Sequence, residues 1–345
     1  MKAVLLLNLG TPAEPTARGL RAFYRSFFSD PFVFDMPPFN RWLLRHFIIL
    51  PFRAPKTARN YKKIWLDNGS PLQVYSEKLQ ENLQETLDPG KARILVGLGM
   101  GYSEPFIKDT MDLFERRGIR EILILPLFPQ YSTATTGSVL HGVSEAAAGW
   151  KEPPRLIEID GMYNEPAFIG AWTHIINKHL PQNNPATDVE HVVFSFHGLP
   201  EKNIQKADDN NHCKFDSCCD AITQVNSRCY RAQCMQTTRS IVNKLEWNHD
   251  FYSIAFQSRF GRDPWIQPYL DQHIEELATQ GIKRVAVITP SFVSDCLETI
   301  HEIGIEYKAL FTEKGGEELV LVPNLNDDEV WFTAVAQIVE NHLKI

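Results

Sequence analysis

The sequence predicts an α/β protein made of two similar units, each with a parallel sheet, and three observations carry that expectation. Short apolar runs alternate with amphipathic segments along the whole chain, which is the trace that βαβ units leave in a sequence. The runs divide evenly: residues 4–10, 93–99, 121–129 and 155–160 in the first half, and 191–197, 251–257, 284–290 and 319–323 in the second. The halves also share a register. A shift of 163 residues places Gly118-Ile119-Arg120 on Gly281-Ile282-Lys283 and Leu156-Ile157 on Leu319-Val320. The same shift places Ala171, Ile175, His179 and Leu180 on Ala334, Ile338, His342 and Leu343. One offset through strand, helix, strand and helix reads as two copies of one unit, although it drifts for the earlier strands. The expected division is residues 1–162 with a C-terminal helix at 326–345, and residues 163–325 with a cysteine-rich insert at about 203–234.

A chain of 345 residues has room for about two such domains. Its formal charge of −7 argues against nucleic acid as a partner. No apolar run approaches the ~18 residues that a membrane span needs. The opening MKAVLLLNLG has the look of an export signal, but it carries one positive charge, Asn8 interrupts it, and Thr11-Pro12 follows. It reads as the first β-strand of a cytoplasmic chain.

In chain order, the next feature is residues 23–53, with eight phenylalanines, Trp42, Met36 and interspersed Arg25, Arg41, Arg45 and Arg53. A helical excursion packing its aromatics inward explains most of them. The prolines and aromatic density also suit an apolar lip over a flat ligand, or a shallow contact with the membrane surface. Lys56, Arg59, Lys62 and Lys63 then precede the turn Asn68-Gly69-Ser70-Pro71. They suit either a solvated helix face or a hold on ligand carboxylates.

QYSTATTGS at 130–138 directly follows the third apolar run. Its hydroxyls suit helix capping, and Tyr131 at a strand end suits stacking on a ligand. HVVFSFHGLP at 191–200 reads as a buried strand stopped by Gly198 and Pro200, with His197 at its carboxyl end. Ligands of open α/β sheets sit past such ends, and histidine is the side chain type whose ordinary pKa lies nearest neutrality. After the run at 284–290, Ser294 or Asp295 is the expected N-cap of a helix, and Glu298, His301 and Glu302 then share one face. Asp295, Glu298 and Glu302 form an acidic row that can relay protons or conduct a divalent cation. The competing explanation is acids placed to favour a helix dipole.

Five of six cysteines, Cys213, Cys218, Cys219, Cys229 and Cys234, fall within 22 residues, while Cys296 stands apart. Without an export signal, such a cluster favours metal over disulfides.

Taken together, these stretches resemble ferrochelatase, the family that inserts Fe²⁺ into a porphyrin as the last step of haem synthesis. The resemblance runs nearly end to end. Its motifs are LLNLGTP at 6–12, NGSPL at 68–72, PQYSTATTGS at 129–138, SFHGLP at 195–200, FQSRFGRDPWIQP at 256–268 and SFVSDCLETIHEI at 291–303. It implies two Rossmann-like domains of chelatase type with the active site in the cleft between them. His197 matches the family's essential histidine and Glu298 its essential glutamate. Tyr131, Trp265, Phe34, Tyr102 and Ser132 are the implied substrate-binding positions. His197 and Glu298 are also the implied contacts of the substrate Fe²⁺, with Asp295 and Glu302 as the relay.

The implied reaction converts protoporphyrin IX to protohaem with release of two protons. Coproporphyrin, another tetrapyrrole or another metal is the alternative, as is a non-catalytic porphyrin carrier with a redox-sensing cluster. Four of the five clustered cysteines resemble the ligands of a [2Fe–2S] centre found in some members, with structural zinc as the rival. Expected partners are porphyrin and ferrous iron, with peripheral contact at the inner membrane. Two positions depart from the family pattern. Gly101 in Met100-Gly101-Tyr102 replaces a cation, and Cys296 stands where some relatives have a second histidine.

Overall fold

A computed structural model describes residues 1–90, 93–180, 188–261 and 263–344. The chain forms two compact units. The first comprises Met1–Phe128, Ser132–Gly161 and the chain from Val335 onward; the second comprises Pro129–Tyr131 and Met162–Ala334.

The first unit holds a four-stranded parallel sheet of β1 (Lys2–Asn8), β2 (Ile94–Met100), β3 (Glu121–Pro126) and β4 (Arg155–Glu158), ordered β2-β1-β3-β4. Every residue of β1 after Lys2 is buried. A central parallel strand covered by helices on both faces has no polar side, so its sequence is continuously apolar rather than alternating. The opening MKAVLLLN is therefore a core strand. Phe114 and Met111 of the helix Ile107–Arg116 pack on this sheet with Leu5, Leu7, Ile122 and Ile124.

The second unit repeats the plan. Its strands β5 (His191–His197), β6 (Tyr252–Gln257), β7 (Arg284–Ile288) and β8 (Glu318–Leu321) are parallel and ordered β6-β5-β7-β8. The constant offset read from sequence is structural: β3 and β7, β4 and β8, and the helices Pro166–His179 and Glu329–Leu343 begin at matching positions. Gly118 (φ +68°) and Gly281 (φ +94°) take the same left-handed turn into β3 and β7. The amides that follow close alike, Ile119 N–H onto Phe114 C=O and Ile282 N–H onto Leu277 C=O, both at 3.1 Å. Left-handed backbone at these two points favours glycine.

Five strands stop two or three residues earlier than expected, β3 and β7 among them. The run at 121–129 ends as a strand at Pro126 and that at 284–290 at Ile288. Pro126, Pro129 and Pro290 lack the N–H that a ladder requires, and this is where each chain leaves its sheet.

The Phe-rich segment divides in two. Phe23, Tyr24 and Phe28 of the helix Ala17–Phe27 and its C-cap are buried with Ile49 and Leu50. Phe39, Trp42, Phe47, Ile48 and Phe52, on the helix Pro38–Leu44 and the π-helix Arg45–Arg53, are exposed, Phe52 by 74% and Phe39 by 68%. Among the described residues no helix is long and apolar enough to cross a membrane.

Candidate active site

His197 is the last residue of β5, and its backbone is held on both sides. Toward β6 it pairs with Gln257. Toward β7 the ladder has already ended at the Phe194–Ile288 pair, and side chains take over. The His197 N–H donates to Ser291 Oγ (3.1 Å) and its C=O accepts from the Tyr230 hydroxyl (2.7 Å). Gly198 N–H returns to the Gln257 carbonyl at 2.8 Å. A Cβ at Gly198 would lie 2.8 Å from that carbonyl oxygen and 3.1 Å from the Trp265 ring, so only glycine fits behind the histidine.

The imidazole is oriented as well. Its Nδ1 lies 2.7 Å from the Gly198 carbonyl oxygen. A carbonyl only accepts, so Nδ1 carries the proton and, in the neutral ring, Nε2 is the free base. Trp265 and Phe292 flank the ring at 6.5 and 6.3 Å between centroids. Trp265 is itself fixed by an Nε1–H bond to the Phe260 carbonyl (2.9 Å). Arg262, within the motif that contains Trp265, lies outside the described residues.

Glu298 and Glu302 stand half-buried on a π-helix, Leu297–Tyr307. Gln257 ties this helix to β5: Ser195 Oγ donates to Gln257 Oε1 (2.7 Å), and Gln257 Nε2 donates to the Glu298 carbonyl (2.8 Å). Burial raises the Cys296 thiol well above its ordinary pKa, and the negative charge of the Glu298 carboxylate reinforces the shift. Cys296 is thus a protonated neighbour of that acid. Glu302 accepts from Ser258 N–H (3.0 Å), Ser258 Oγ–H (2.5 Å) and the Tyr307 hydroxyl (2.8 Å). Ser258 adopts left-handed backbone, φ +66°, to aim both donors at it. Burial raises the Glu302 carboxyl pKa, these bonds oppose the shift, and His197 is within electrostatic reach.

The helix start differs from expectation. Neither Ser294 nor Asp295 is the N-cap; Cys296 is. Asp295 is unavailable because its carboxylate accepts from Thr299 Oγ (2.8 Å) and Asn326 Nδ2 (2.6 Å), within reach of Asn324 N–H (3.4 Å). Burial still pushes its carboxyl pKa up. Nor does His301 share a face with Glu298 and Glu302. The wider π winding turns it into the interior, 4% exposed, within 3.5 Å of Glu306.

Tyr131 sits at the end of the segment after β3. Its N–H donates to Gln233 Oε1 (2.6 Å), and the Arg228 guanidinium lies 5.3 Å from its ring centre. In the first unit, Ser132 accepts from Thr135 N–H (3.1 Å), which is the capping role anticipated for these hydroxyls. Tyr102 is buried, and its hydroxyl meets Asp30 (2.5 Å) and Ser138 (2.9 Å); burial first, then Asp30, keeps the phenol protonated. Phe34 stacks on Phe28 at 4.4 Å. A Cβ on Gly101 would make only ordinary contacts, 3.4 Å at the nearest, so packing does not demand the glycine there.

Four of the five clustered cysteines contact one another. Cys218 and Cys219 sulfurs are 3.8 Å apart. Cys219 and Cys229 share a hydrogen bond that raises the first thiol's pKa and lowers the second's. Cys213 is raised by burial and lies beside Cys218. Cys234, wholly buried in the helix Tyr230–Leu245, is held protonated by burial and contacts Tyr230 instead. Among the described residues no three His, Cys, Asp or Glu side chains converge on one metal position.

Gln257, Tyr230, Ser291 and Gln233 shape this region without having been singled out from sequence. Gln257 and Ser291 lie inside quoted motifs, and Tyr230 directly follows Cys229, so position alone could have drawn attention to those three. Gln233 carries no such signal.

The ferrochelatase family model matches residues 1–343. A ferrochelatase of Coxiella burnetii is 42% identical over 347 residues, covering 99% of this chain and 94% of its own. One of Legionella pneumophila is 40% identical over 342 residues, covering 99% of both. Among solved structures, SirB from Bacillus subtilis with Fe³⁺ aligns with a TM-score of 0.56 over 99% of this chain and 95% of that one. The sirohydrochlorin chelatase SirB of subspecies spizizenii, in complex with cobalt, aligns with a TM-score of 0.54 over the same shares. At 11% and 10% identity these two speak to the fold alone. Sequence match along the whole length and a doubled parallel-sheet architecture agree: the chain belongs to the ferrochelatase family.

Proposed function

We propose that the chain takes protoporphyrin IX as its porphyrin, with His197 and Glu298 as the groups that act on the macrocycle. Insertion of Fe²⁺ into a porphyrin to give haem is the family's activity and therefore this chain's. The reaction exchanges two pyrrole protons for one ferrous ion. What supports the residue assignment is the fixed His197 ring, with its backbone bonded on both sides and Nδ1–H spent on Gly198. Its Nε2 lone pair can accept a pyrrole proton or briefly hold Fe²⁺, a borderline ion for which imidazole is a suitable ligand. Trp265 and Phe292 supply apolar walls against which a macrocycle can lie. Glu298 accepts charge or proton beside it, and Glu302, raised by burial, is the next acceptor along the helix.

Protoporphyrin has two propionates where coproporphyrin has four, so an apolar surface favours the former. The exposed Phe39, Trp42, Phe47, Ile48 and Phe52, with Arg53 exposed among them, are such a surface and suit contact with an anionic lipid bilayer. With each porphyrin presented in anionic vesicles, kcat/KM should favour protoporphyrin. The double variant Phe47→Ser/Phe52→Ser should lose that preference and its vesicle cosedimentation together. Equal or higher kcat/KM for coproporphyrin would overturn the substrate assignment, and unchanged cosedimentation the lipid contact.

We further infer that Cys213, Cys218, Cys219 and Cys229 hold a [2Fe–2S] cluster. The 3.8 Å separation of Cys218 and Cys219 sulfurs matches the edge of a tetrahedron with metal–sulfur bonds of about 2.3 Å. The pairwise contacts link all four thiols, while Cys234 is engaged by Tyr230. When bound, such a cluster supplies a one-electron redox centre and a brace for the insert. Protein purified without air should show visible iron–sulfur bands that Cys213→Ser or Cys229→Ser removes and Cys234→Ser retains. A colourless protein containing one equivalent of zinc would overturn the iron–sulfur assignment.

A further inference from the structure

We propose that Tyr230 is a positioning residue that fixes the His197 peptide and ties it to the end of the cysteine-rich segment. The proposal rests on the reading of His197 as a catalytic group.

The observation is a pair of side-chain hydrogen bonds that hold one peptide from two different elements. His197 N–H donates to Ser291 Oγ (3.1 Å), and the Tyr230 hydroxyl donates to the His197 C=O (2.7 Å). Both backbone groups of His197 are thereby satisfied on the side where β7 no longer reaches. A β5 that simply continued past the end of β7 would leave two buried peptide groups without partners, each at a cost. Tyr230 and Ser291 replace the missing strand.

Of the two supports, Tyr230 has the further connection. Tyr230 is buried, and its hydroxyl is aimed at the His197 carbonyl. It is also the first residue of the helix Tyr230–Leu245, and the N-cap of that helix is Cys229. Cys229 is hydrogen-bonded to Cys219 in the insert. Cys234, four residues after Tyr230, contacts the same tyrosine from within the helix. A rearrangement of the thiols at the N-cap therefore moves the residue next to it, and the tyrosine carries the shift to the His197 carbonyl. The connection is contiguous: insert, N-cap, tyrosine, catalytic peptide.

The same end of the insert also reaches Tyr131. Arg228 lies over its ring, and Gln233, which accepts from the Tyr131 N–H, donates to the Ser227 carbonyl (2.6 Å). The 227–233 stretch therefore braces two residues assigned to the site, but only Tyr230 touches the backbone of the base.

The test is Tyr230→Phe, which keeps the ring volume and removes the hydroxyl. Ferrous insertion should slow about tenfold in kcat, the rate equivalent of one ordinary hydrogen bond, while KM for porphyrin changes less than twofold. A purely structural role would lower the melting temperature without that split. In ¹⁵N-histidine NMR of the porphyrin-free protein, Cys229→Ser should shift the His197 ring resonances, and in the Tyr230→Phe background it should not. Should Tyr230→Phe fail to fold, the Cys229→Ser shift alone decides: no movement of the His197 resonances overturns the proposal. His197→Ala, measured in parallel, separates the two readings. Full activity in that variant sinks the role of His197. Inactive His197→Ala beside Tyr230→Phe with unchanged kcat and resonances sinks the role of Tyr230 alone.

Discussion

Replacing His197 with alanine should lower kcat for ferrous insertion by roughly 10²- to 10⁴-fold, the range a positioned proton-transfer group supplies, while porphyrin still binds. The expectation follows from how much of the structure is spent on this one ring. Ser291 and Tyr230 hold its peptide, Gly198 makes room behind it, and the Gly198 carbonyl fixes its tautomer. None of these supports depends on the imidazole's Nε2, so its removal should leave the frame intact. A stopped anaerobic assay gives the rate, and porphyrin fluorescence titration gives the affinity. His197→Gln offers an amide of similar reach with no basic lone pair and should be nearly as slow as alanine. Wild-type rates in either variant would end the assignment.

Glu298→Gln should cost about 10²-fold in kcat, the lower end of the same range, with little change in melting temperature. The side chain keeps its length, and the tie from Gln257 reaches the Glu298 backbone carbonyl rather than the carboxylate. The negative charge and its basicity are what the variant loses. Cys296, buried beside it with a protonated thiol, then faces an amide instead of a carboxylate. A rise in KM with kcat unchanged would mean that Glu298 only shapes binding.

Much of the architecture was legible in the sequence because parallel sheets write themselves plainly. Buried on both faces, strands such as β1 and β5 are apolar runs, and Gly118 and Gly281 punctuate equivalent turns. Helix detail was less legible. Glu298, His301 and Glu302 have the spacing of an α-helical face, and nothing in a single sequence announces that this helix winds as π. His301 consequently turns inward toward Glu306. Asp295 likewise reads as a cap, yet the three donors that claim it include Asn324 and Asn326, about thirty residues on, which periodicity does not connect to it. The supports of His197 were hidden for the same reason. Tyr230 and Ser291 meet it only through the fold, which their places beside Cys229 and within the 291–303 motif do not announce.

The two sheets share one strand order, and each has a seven-residue strand in the same central position. Their last residues occupy corresponding places: Asn8 on β1 and His197 on β5. Asn8 is closed in, donating to Ser76 Oγ (3.0 Å) and accepting from Leu9 N–H (2.8 Å). The His197 ring, by contrast, turns its Nδ1 to the carbonyl of the very next residue, Gly198 (2.7 Å), and ties no second element in. Doubling a scaffold creates two strand tips where one suffices. On the role proposed for His197, the β1 tip is the spare one, and its polar atoms serve as mortar for the walls. Assigning the chemistry to one half thus leaves its twin to consolidate the frame.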